Sequence, residues 1–440
     1  MKDVLQRVGI QDPDFELVSV KEMIERGLIE RPIDGNHGEI HPKSEDFVAE
    51  GVPFVMASDM RNGGVEYTNC SRISVRQAEG LRKGFARNGD VLLSHKATIG
   101  QTAIVQYDEH PYVMLTPQVT YYRVRDPSRL SNRYLKFYFD SSLFQQTLHL
   151  WAGSGSTRAY LGITEQQRLP VILPPVPKQR KIAAILSAYD DLIANNQRRI
   201  ALLESMAEEI YREWFVRMRF PEHKSARSSR GLPVGWRTVA LDTLVKEVKS
   251  SIKKVDLSSV AKYVGLEHIP RQSVALSAWG APDEVDSDKL RFESGDILFG
   301  KIRPYLRKVA LAPFSGACST DTIVLRARRD EWRLFVLFTV ASATFADLAT
   351  TASKGTKMPR ADWHFLKRQV IRFPSDSLVL KFDELSKPLL KEIHLLLECS
   401  DRLATQRSVL LPRLISGKLR VDHLDIRMPP SMQVDEAAAT

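Results

Sequence analysis

Three cysteines in 440 residues are too few and too far apart to organise this chain. Cys70, Cys318 and Cys399 form neither a disulfide framework nor the paired spacing of a zinc site, and they suit a reducing cytoplasm. Long apolar runs are missing too. The most apolar uncharged stretch, Leu334 to Ala346, falls short of the roughly 20 residues that span a bilayer. It is expected as a buried helix, as is its counterpart Tyr134 to Leu148. The opening Met1-Lys-Asp-Val-Leu-Gln shows no signal-peptide core. Catalytic signatures are absent as well. Gly295-Asp-Ile-Leu-Phe-Gly-Lys301 approaches a phosphate-binding loop, but Ile302 stands where that motif needs a magnesium-holding hydroxyl. No Gly-x-Gly-x-x-Gly follows a strand, and no His-Glu-x-x-His or carboxylate cluster offers metal ligands. Leu173-Pro-Pro-Val176 lacks the polar first residue and aromatic last residue of a loop that grips a flipped adenine. The expectation is a non-enzyme with no cofactor and no metal.

What is present is a repeat. Gly155 to Pro174 lines up with Gly355 to Pro374, so the offset is 200 residues. It persists upstream, where Arg133, Phe137, Ser142 and Leu148 fall on Arg333, Leu337, Ser342 and Leu348. Further towards the N-terminus, Gly89-Asp-Val-Leu-Leu-Ser-His-Lys96 pairs with Gly295-Asp-Ile-Leu-Phe-Gly-Lys301. Both read as a turn entering a short buried strand. Phe15 to Val20 and Trp236 to Leu241 alternate like opening strands. A repeat this long is a domain duplication, not a solenoid unit. One chain with two similar halves imitates a two-fold dimer while letting the halves differ. That suits a partner with two related but unequal sites, such as an asymmetric duplex. The net charge of +10 favours a polyanionic partner without proving one.

Each half closes with a helical pattern. Apolar positions at Ile182, Ile185, Tyr189, Ile193, Ile200, Leu203 and Ile210 step mostly by three and four. Phe382, Leu385, Leu389, Ile393, Leu396, Leu403 and Leu410 form the second seam. A helix of that length spans ~50 Å at 1.5 Å per residue. Each seam needs a partner, and two helices of a returning chain pack antiparallel. Asn196 on the first seam sets register or sits at its wet edge. Pro388 kinks the second helix or marks its start. The fold class expected is α+β: two duplicated globular domains separated by two long antiparallel coiled-coil-like helices. The domains run 1–174 and 231–374, with helices at 175–216 and 375–420, a basic linker at 217–230 and a tail at 421–440, expected disordered from Met428 on.

Candidate contact residues cluster in loops. Ser156, Thr157 and Arg158 follow Gly153-Ser-Gly, and Lys354, Thr356, Lys357 and Arg360 occupy the matching stretch of the second half. Ser94, Lys96 and Thr98 end the first Gly-Asp strand, as Lys301, Arg303 and Arg307 end the second. Arg72 adds a further cation. Hydroxyls, cationic tips and backbone amides are the groups that hold phosphates and read base edges. Both loops keep glycine and polarity while their side chains differ, as two different half-sites require.

The motifs Leu173-Pro-Pro-Val-Pro-Lys-Gln-Arg-Lys-Ile-Ala-Ala-Ile-Leu, Asp190-Asp-Leu-Ile-Ala-Asn-Asn, Tyr211-Arg-Glu-Trp-Phe and Leu410-Leu-Pro-Arg-Leu-Ile-Ser-Gly-Lys-Leu-Arg carry a resemblance over nearly the whole chain. It resembles the specificity subunits of type I restriction–modification systems. The resemblance implies two target-recognition domains, each reading half of a bipartite double-stranded DNA sequence. It implies two long helices acting as a ruler and docking two adenine methyltransferase subunits, with motor–nuclease subunits joining for cleavage. It also implies a non-catalytic, cytoplasmic protein with no membrane partner. One departure stands out: Ser375-Asp-Ser-Leu-Val-Leu replaces the Pro-Pro-Val-Pro-Lys-Gln run at the second helix, which leaves that helix's start open. The alternatives are a self-contained methyltransferase or nuclease, a stand-alone DNA-binding protein, and a coiled-coil scaffold without salt-dependent DNA affinity.

Overall fold

A computed structural model describes residues 9–107, 109–153, 159–223, 228–229, 232–353, 355 and 358–433. The chain divides into two compact units. Unit 1 is Met1–Ile193 with Arg402–Thr440, and unit 2 is Ala194–Asp401. The division cuts through both long helices, so each unit owns a piece of each rather than leaving them as separate domains.

Unit 1 contains, in chain order, strands β1 (Glu16–Ser19), β2 (Ile33–Asp34), β3 (Val52–Val55), β4 (Phe85–Ala86), β5 (Val91–Ser94), β6 (Thr102–Ile104), β7 (Val113–Leu115) and β8 (Val119–Tyr122). Helices α1 (Asn132–Asp140) and α2 (Ser142–Trp151), strand β9 (Pro170–Leu173) and the first part of α3 (Val176–Tyr211) follow. Strand β1 pairs with β9, and an antiparallel sheet runs β6-β5-β8-β2. A second sheet places β7 between a parallel β3 and an antiparallel β4. Strand β5 is buried on both faces, which explains its continuous Val-Leu-Leu run.

Unit 2 contains β10 (Arg237–Ala240), β11 (Val245–Glu247), β12 (Tyr263–Val264), β13 (Lys289–Phe292), β14 (Ile297–Gly300), β15 (Val309–Leu311), β16 (Gly316–Cys318) and β17 (Thr322–Ala327). Helices α4 (Arg333–Ala341) and α5 (Ala343–Thr351), strand β18 (Val370–Phe373) and the first part of α6 (Asp376–Ile415) complete it. Strand β10 pairs with β18, and an antiparallel sheet runs β11-β17-β14-β15. Strand β16 lies between a parallel β12 and an antiparallel β13. No single helix among the described residues is long and apolar enough to cross a membrane. The apolar α4 is core: Leu334 to Val340 are all buried.

The Gly-Asp motif does the same job in both units. Gly89 and Gly295 have φ of +84° and +88°, a conformation that disfavours any side chain. The next residue closes the turn, Asp90 accepting from Arg87 N at 2.7 Å and Asp296 from Glu293 N at 2.8 Å. Each carboxylate is buried and gripped by an arginine, Arg123 at 2.9 and 2.8 Å, Arg326 at 2.7 and 2.8 Å. That satisfies the buried charges and ties the strand β5 or β14 to its neighbour.

The helix starts explain the departure at residue 375. Pro175 O accepts from Lys178 N and Gln179 N, and proline is tolerated there because a first-turn N–H has no intrahelical partner. Lys178 is held by Asp12 at 2.7 Å and Asp14 at 2.8 Å, and buried Gln179 donates to Pro174 O at 2.8 Å and accepts from Ser131 N at 2.9 Å. Two hundred residues on, Leu378 and Val379 are buried in an apolar core. There Ser375 O accepts from Leu378 N and Val379 N, so α6 begins at Asp376, and it continues through Pro388.

The same polar-for-apolar exchange recurs deeper. In unit 1 Lys136 reaches Asp140 at 2.8 Å and Asp190 at 3.9 Å. Arg407 Nη2 donates to the same two carboxylates at 3.2 and 3.3 Å. Burial works to raise the Asp140 pKa, but Lys136, by charge and hydrogen bond, together with Thr102 and Arg407 outweighs it and holds the group below its ordinary value. The positions 200 residues away are Val336, Val340, Leu390 and Ala207, all inside the apolar core of unit 2.

Along the helices, Ile182, Ile200, Phe382, Ile393 and Leu396 are buried, and Ile185, Tyr189, Ile193, Leu203, Ile210, Leu389, Leu403 and Leu410 are half-buried. Leu385 is 52% exposed and does not pack. The buried series there is Phe382, Ser386, Leu390, Ile393, Leu397, stepping four, four, three and four, so Leu385 is one residue off the inward face. In unit 2 Asn196 is buried and donates to Ser400 at 3.3 Å, while Arg199 pairs with Glu392 at 2.7 Å; the rising and falling numbers make the helices antiparallel there. The C-terminal segment differs from the expected tail. Val421 and Met432 are buried in the core of unit 1, and Asp191 accepts from Ser431 N at 3.2 Å. Residues 434–440 lie outside the described residues.

Candidate nucleic-acid interface

In unit 1 the loop after β5 starts with two buried residues. Ser94, expected as a contact, is fully buried, and its hydroxyl accepts from Gln101 N at 2.8 Å to close the loop. It cannot reach a partner. His95 N donates to Gln118 O, and His95 O accepts from Leu161 N. Burial pushes the His95 pKa down. Lys96 and Thr98 are exposed, and Lys96 Nζ lies 5.9 Å from the centre of the Tyr160 ring. Ala97 between them has φ of +63° and donates to Ala159 O.

The loop after β14 in unit 2 repeats this backbone. Lys301 N donates to Asp321 O, and Lys301 O accepts from Ala361 N. Arg303 has φ of +53° and donates from its N–H to Pro359 O. The matching hydrogen bonds make His95 the equivalent of Lys301, Lys96 of Ile302, Ala97 of Arg303, and Gln118 of Asp321. The expected match of Lys96 with Lys301 is therefore shifted by one residue. A Lys96–Tyr160 bridge in one loop becomes an Ile302–Arg360 bridge in the other.

Several expected contact residues are committed to the fold. Lys301 Nζ donates to Thr320 O at 2.7 Å. Arg307 donates from Nε and Nη2 to Ala341 O at 3.0 and 2.9 Å, capping the C-terminus of α4. Arg72 donates to Gly51 O at 3.0 Å and to the Tyr107 hydroxyl at 2.9 Å. Arg303 and Arg360 are exposed, Arg360 pairing with Asp321 at 3.3 Å. Ser156, Thr157, Arg158, Lys354, Thr356 and Lys357 lie outside the described residues. The structure adds Tyr160 and Tyr305, exposed aromatics beside the cations. Tyr305 stands two residues after Arg303, a neighbourhood of cation and ring that was readable in the sequence.

Burial pushes the Cys70 and Cys318 thiols up to about 12, far from a nucleophile's range. Among the described residues no group of three or more His, Cys, Asp or Glu is placed to hold a metal ion.

Residues 14–205 match the family model described as the type I restriction modification DNA specificity domain. The MjaIX specificity subunit of a type I restriction enzyme from Methanocaldococcus jannaschii is 23% identical over 87% of this chain and 90% of its own length. The EcoDI specificity subunit from Escherichia coli is 27% identical over 47% of this chain and 52% of its own. Over these spans the chain is similar to type I restriction–modification specificity subunits. A crystal structure of such a subunit from M. genitalium shares the fold, with a TM-score of 0.52 over 92% of this chain and 96% of that one at 14% identity.

Proposed function

We propose that each unit carries one copy of a duplicated recognition domain and reads one half of a bipartite double-stranded DNA target. The observation that carries this is the pair of loops with one hydrogen-bonded backbone and different side chains. His95, Lys96, Ala97, Gln118 and Tyr160 in one unit stand where Lys301, Ile302, Arg303, Asp321 and Arg360 stand in the other. A shared scaffold fixes the approach to the duplex, and divergent tips give the halves different base preferences. Lys96 serves best as a phosphate contact, whereas Arg303 and Arg360 have the forked geometry that matches a guanine edge.

Two predictions follow from these roles. Arg303→Ala or Arg360→Ala is expected to weaken specific binding by about 1–3 kcal/mol and to relax one half of the methylated motif. Lys96→Ala should weaken binding evenly across sequences and lower the salt slope by about 1. Relaxation in both halves from one arginine change would contradict the division of labour.

The reading extends to two adenine methyltransferase subunits and the restriction–translocase subunits as partners, in the cytoplasm. The long helices carry the exposed apolar side chains Leu192, Leu202, Met206 and Leu395, which we assign to subunit docking. Leu202→Asp with Met206→Asp should lower methyltransferase co-elution in gel filtration without unfolding unit 2, since both side chains already face solvent. The decisive test is single-molecule methylation sequencing of the host genome with and without the gene. A split motif methylated on adenine and lost on deletion is the expected result. A purified complex with methyltransferase partners that binds no DNA would refute the reading.

A further inference from the structure

Beside the recognition loop of unit 1 lies a cleft of about 520 Å3. Its floor is apolar, with Phe47, Phe54 and Met56, and its rim carries Lys43 and Lys96, both exposed. The His41 ring packs on Phe54 at 5.5 Å, and Phe47 on Phe54 at 6.1 Å. Two residues of its lining hold a buried polar atom without a hydrogen-bond partner among the described residues: His41 Nδ1 and Thr116 Oγ1. Thr116 as a whole is 5% exposed. Gln118, half-buried, lines the cleft and engages His95 N through its backbone carbonyl.

Neither the shape nor the lining suits a stacked duplex. Base edges in B-form DNA are recessed in the groove, where protruding loops such as Lys96–Thr98 reach them. A concave site takes what protrudes. The backbone ridge protrudes, but a phosphodiester has no use for a floor of phenylalanine and methionine. A base rotated out of the stack fits all the features at once: an apolar face to lie on, a donor-and-acceptor edge, and phosphates on either side of it. Unpaired buried polar atoms are costly unless an occupant satisfies them, which favours a ligand with complementary hydrogen-bonding groups.

We propose that this cleft receives one nucleotide unstacked from the half-site read by unit 1. Gln118 and Thr116 pair with the base edge, Phe47 and Met56 cover its face, and Lys43 and Lys96 hold the flanking phosphates. A glutamine amide matches the edge of adenine in a bidentate pair, so adenine is the base assigned. At the equivalent wall position of unit 2, Asp321 is instead engaged by Arg360, so the device belongs to unit 1. The inference rests on the DNA-reading role proposed above.

The test uses the assembled complex with methyltransferase subunits on duplexes carrying the motif found by methylation sequencing. The half left intact by Arg303→Ala and Arg360→Ala is assigned to unit 1. 2-Aminopurine is placed next to each adenine of that half in turn, so that the adenine keeps the 6-amino group that Gln118 pairs with. Unstacking at one position other than a methylated adenine should raise fluorescence several-fold. Gln118→Leu should abolish that rise and relax the motif at the same position by tenfold or more. Lys43→Ala, a change at an exposed side chain, should reduce the rise by at least half while the fold is intact. If the wild-type complex binds and methylates but no further position brightens, the cleft assignment is wrong and the DNA-reading role stands. A rise that survives both substitutions unchanged also overturns it. A wild-type complex that neither binds nor methylates sinks both.

Discussion

Arg407→Ala is expected to lower the stability of unit 1 by about 3 kcal/mol, the lower end of what removing one partner from a buried ion network costs. The guanidinium is 19% exposed, and Asp140 and Asp190 are 19% and 30% exposed, so solvent screens the damage without removing it. Two carboxylates would remain against Lys136 alone. Urea denaturation read by hydrogen exchange on peptides of α1 and the C-terminal part of α6 measures the loss where it arises. A change below about 0.5 kcal/mol would mean that the network is an exposed set of pairs of little worth. The second half of this experiment is built into the chain. Replacing all four members by their counterparts, Lys136→Val, Asp140→Val, Asp190→Leu and Arg407→Ala, is expected to be neutral or to stabilise unit 1 by about 1–4 kcal/mol. Opposite signs for the single and the fourfold change would show that the ions are held for some property other than stability.

That exchange also marks what could be read from the residues alone. The offset of 200 placed Arg407 beside Ala207 and showed that the halves diverge, but not that four separate substitutions meet at one junction. Which charges converge is decided by three elements that are distant in sequence. The Gly-Asp strands were legible because a left-handed glycine followed by a turn-closing aspartate is a local device. Loop cations were legible only as composition. Ser94, Lys301, Arg307 and Arg72 carry the right groups, yet carbonyls and backbone amides from elsewhere in the fold engage them. Lys96, Thr98, Arg303 and Arg360 escaped such partners or kept their exposure. Gln118 and Thr116 carried no signal at all, since the cleft they line is assembled from three separate stretches of chain. The helix seam was read with its period right and its phase wrong at Leu385, because a step of three and a step of four cost the pattern nothing until a partner helix chooses between them.

Phe382→Ala should cost unit 2 about 3–5 kcal/mol, the range for truncating a buried aromatic in a core that closes only in part. Phe382 is fully buried, and its ring lies 5.1 Å from Phe215, 6.1 Å from Tyr211 and 6.2 Å from Phe338. Those rings come from α3, the turn after it and α4, so one side chain joins both long helices to the recognition domain within the unit. Elements packed around a single aromatic cluster cannot shift to fill the hole without breaking several edge-to-face contacts, each worth about 0.5–1.5 kcal/mol beyond its area. Its counterpart in unit 1, Ile182, is equally buried but smaller, and Ile182→Val should cost only about 0.5–1.5 kcal/mol. Chemical denaturation followed through Trp214, whose ring is 6.3 Å from Phe382, reports the local loss. The functional consequence separates packing from reading. Well below its lowered melting temperature, the Phe382→Ala subunit should still direct methylation to the same motif in both halves, because no loop residue that contacts DNA in the proposed scheme touches this cluster. A motif altered in the half assigned to unit 2 would mean instead that base choice depends on how firmly α3 and α6 hold the recognition domain. The aromatic cluster would then be part of the reading device.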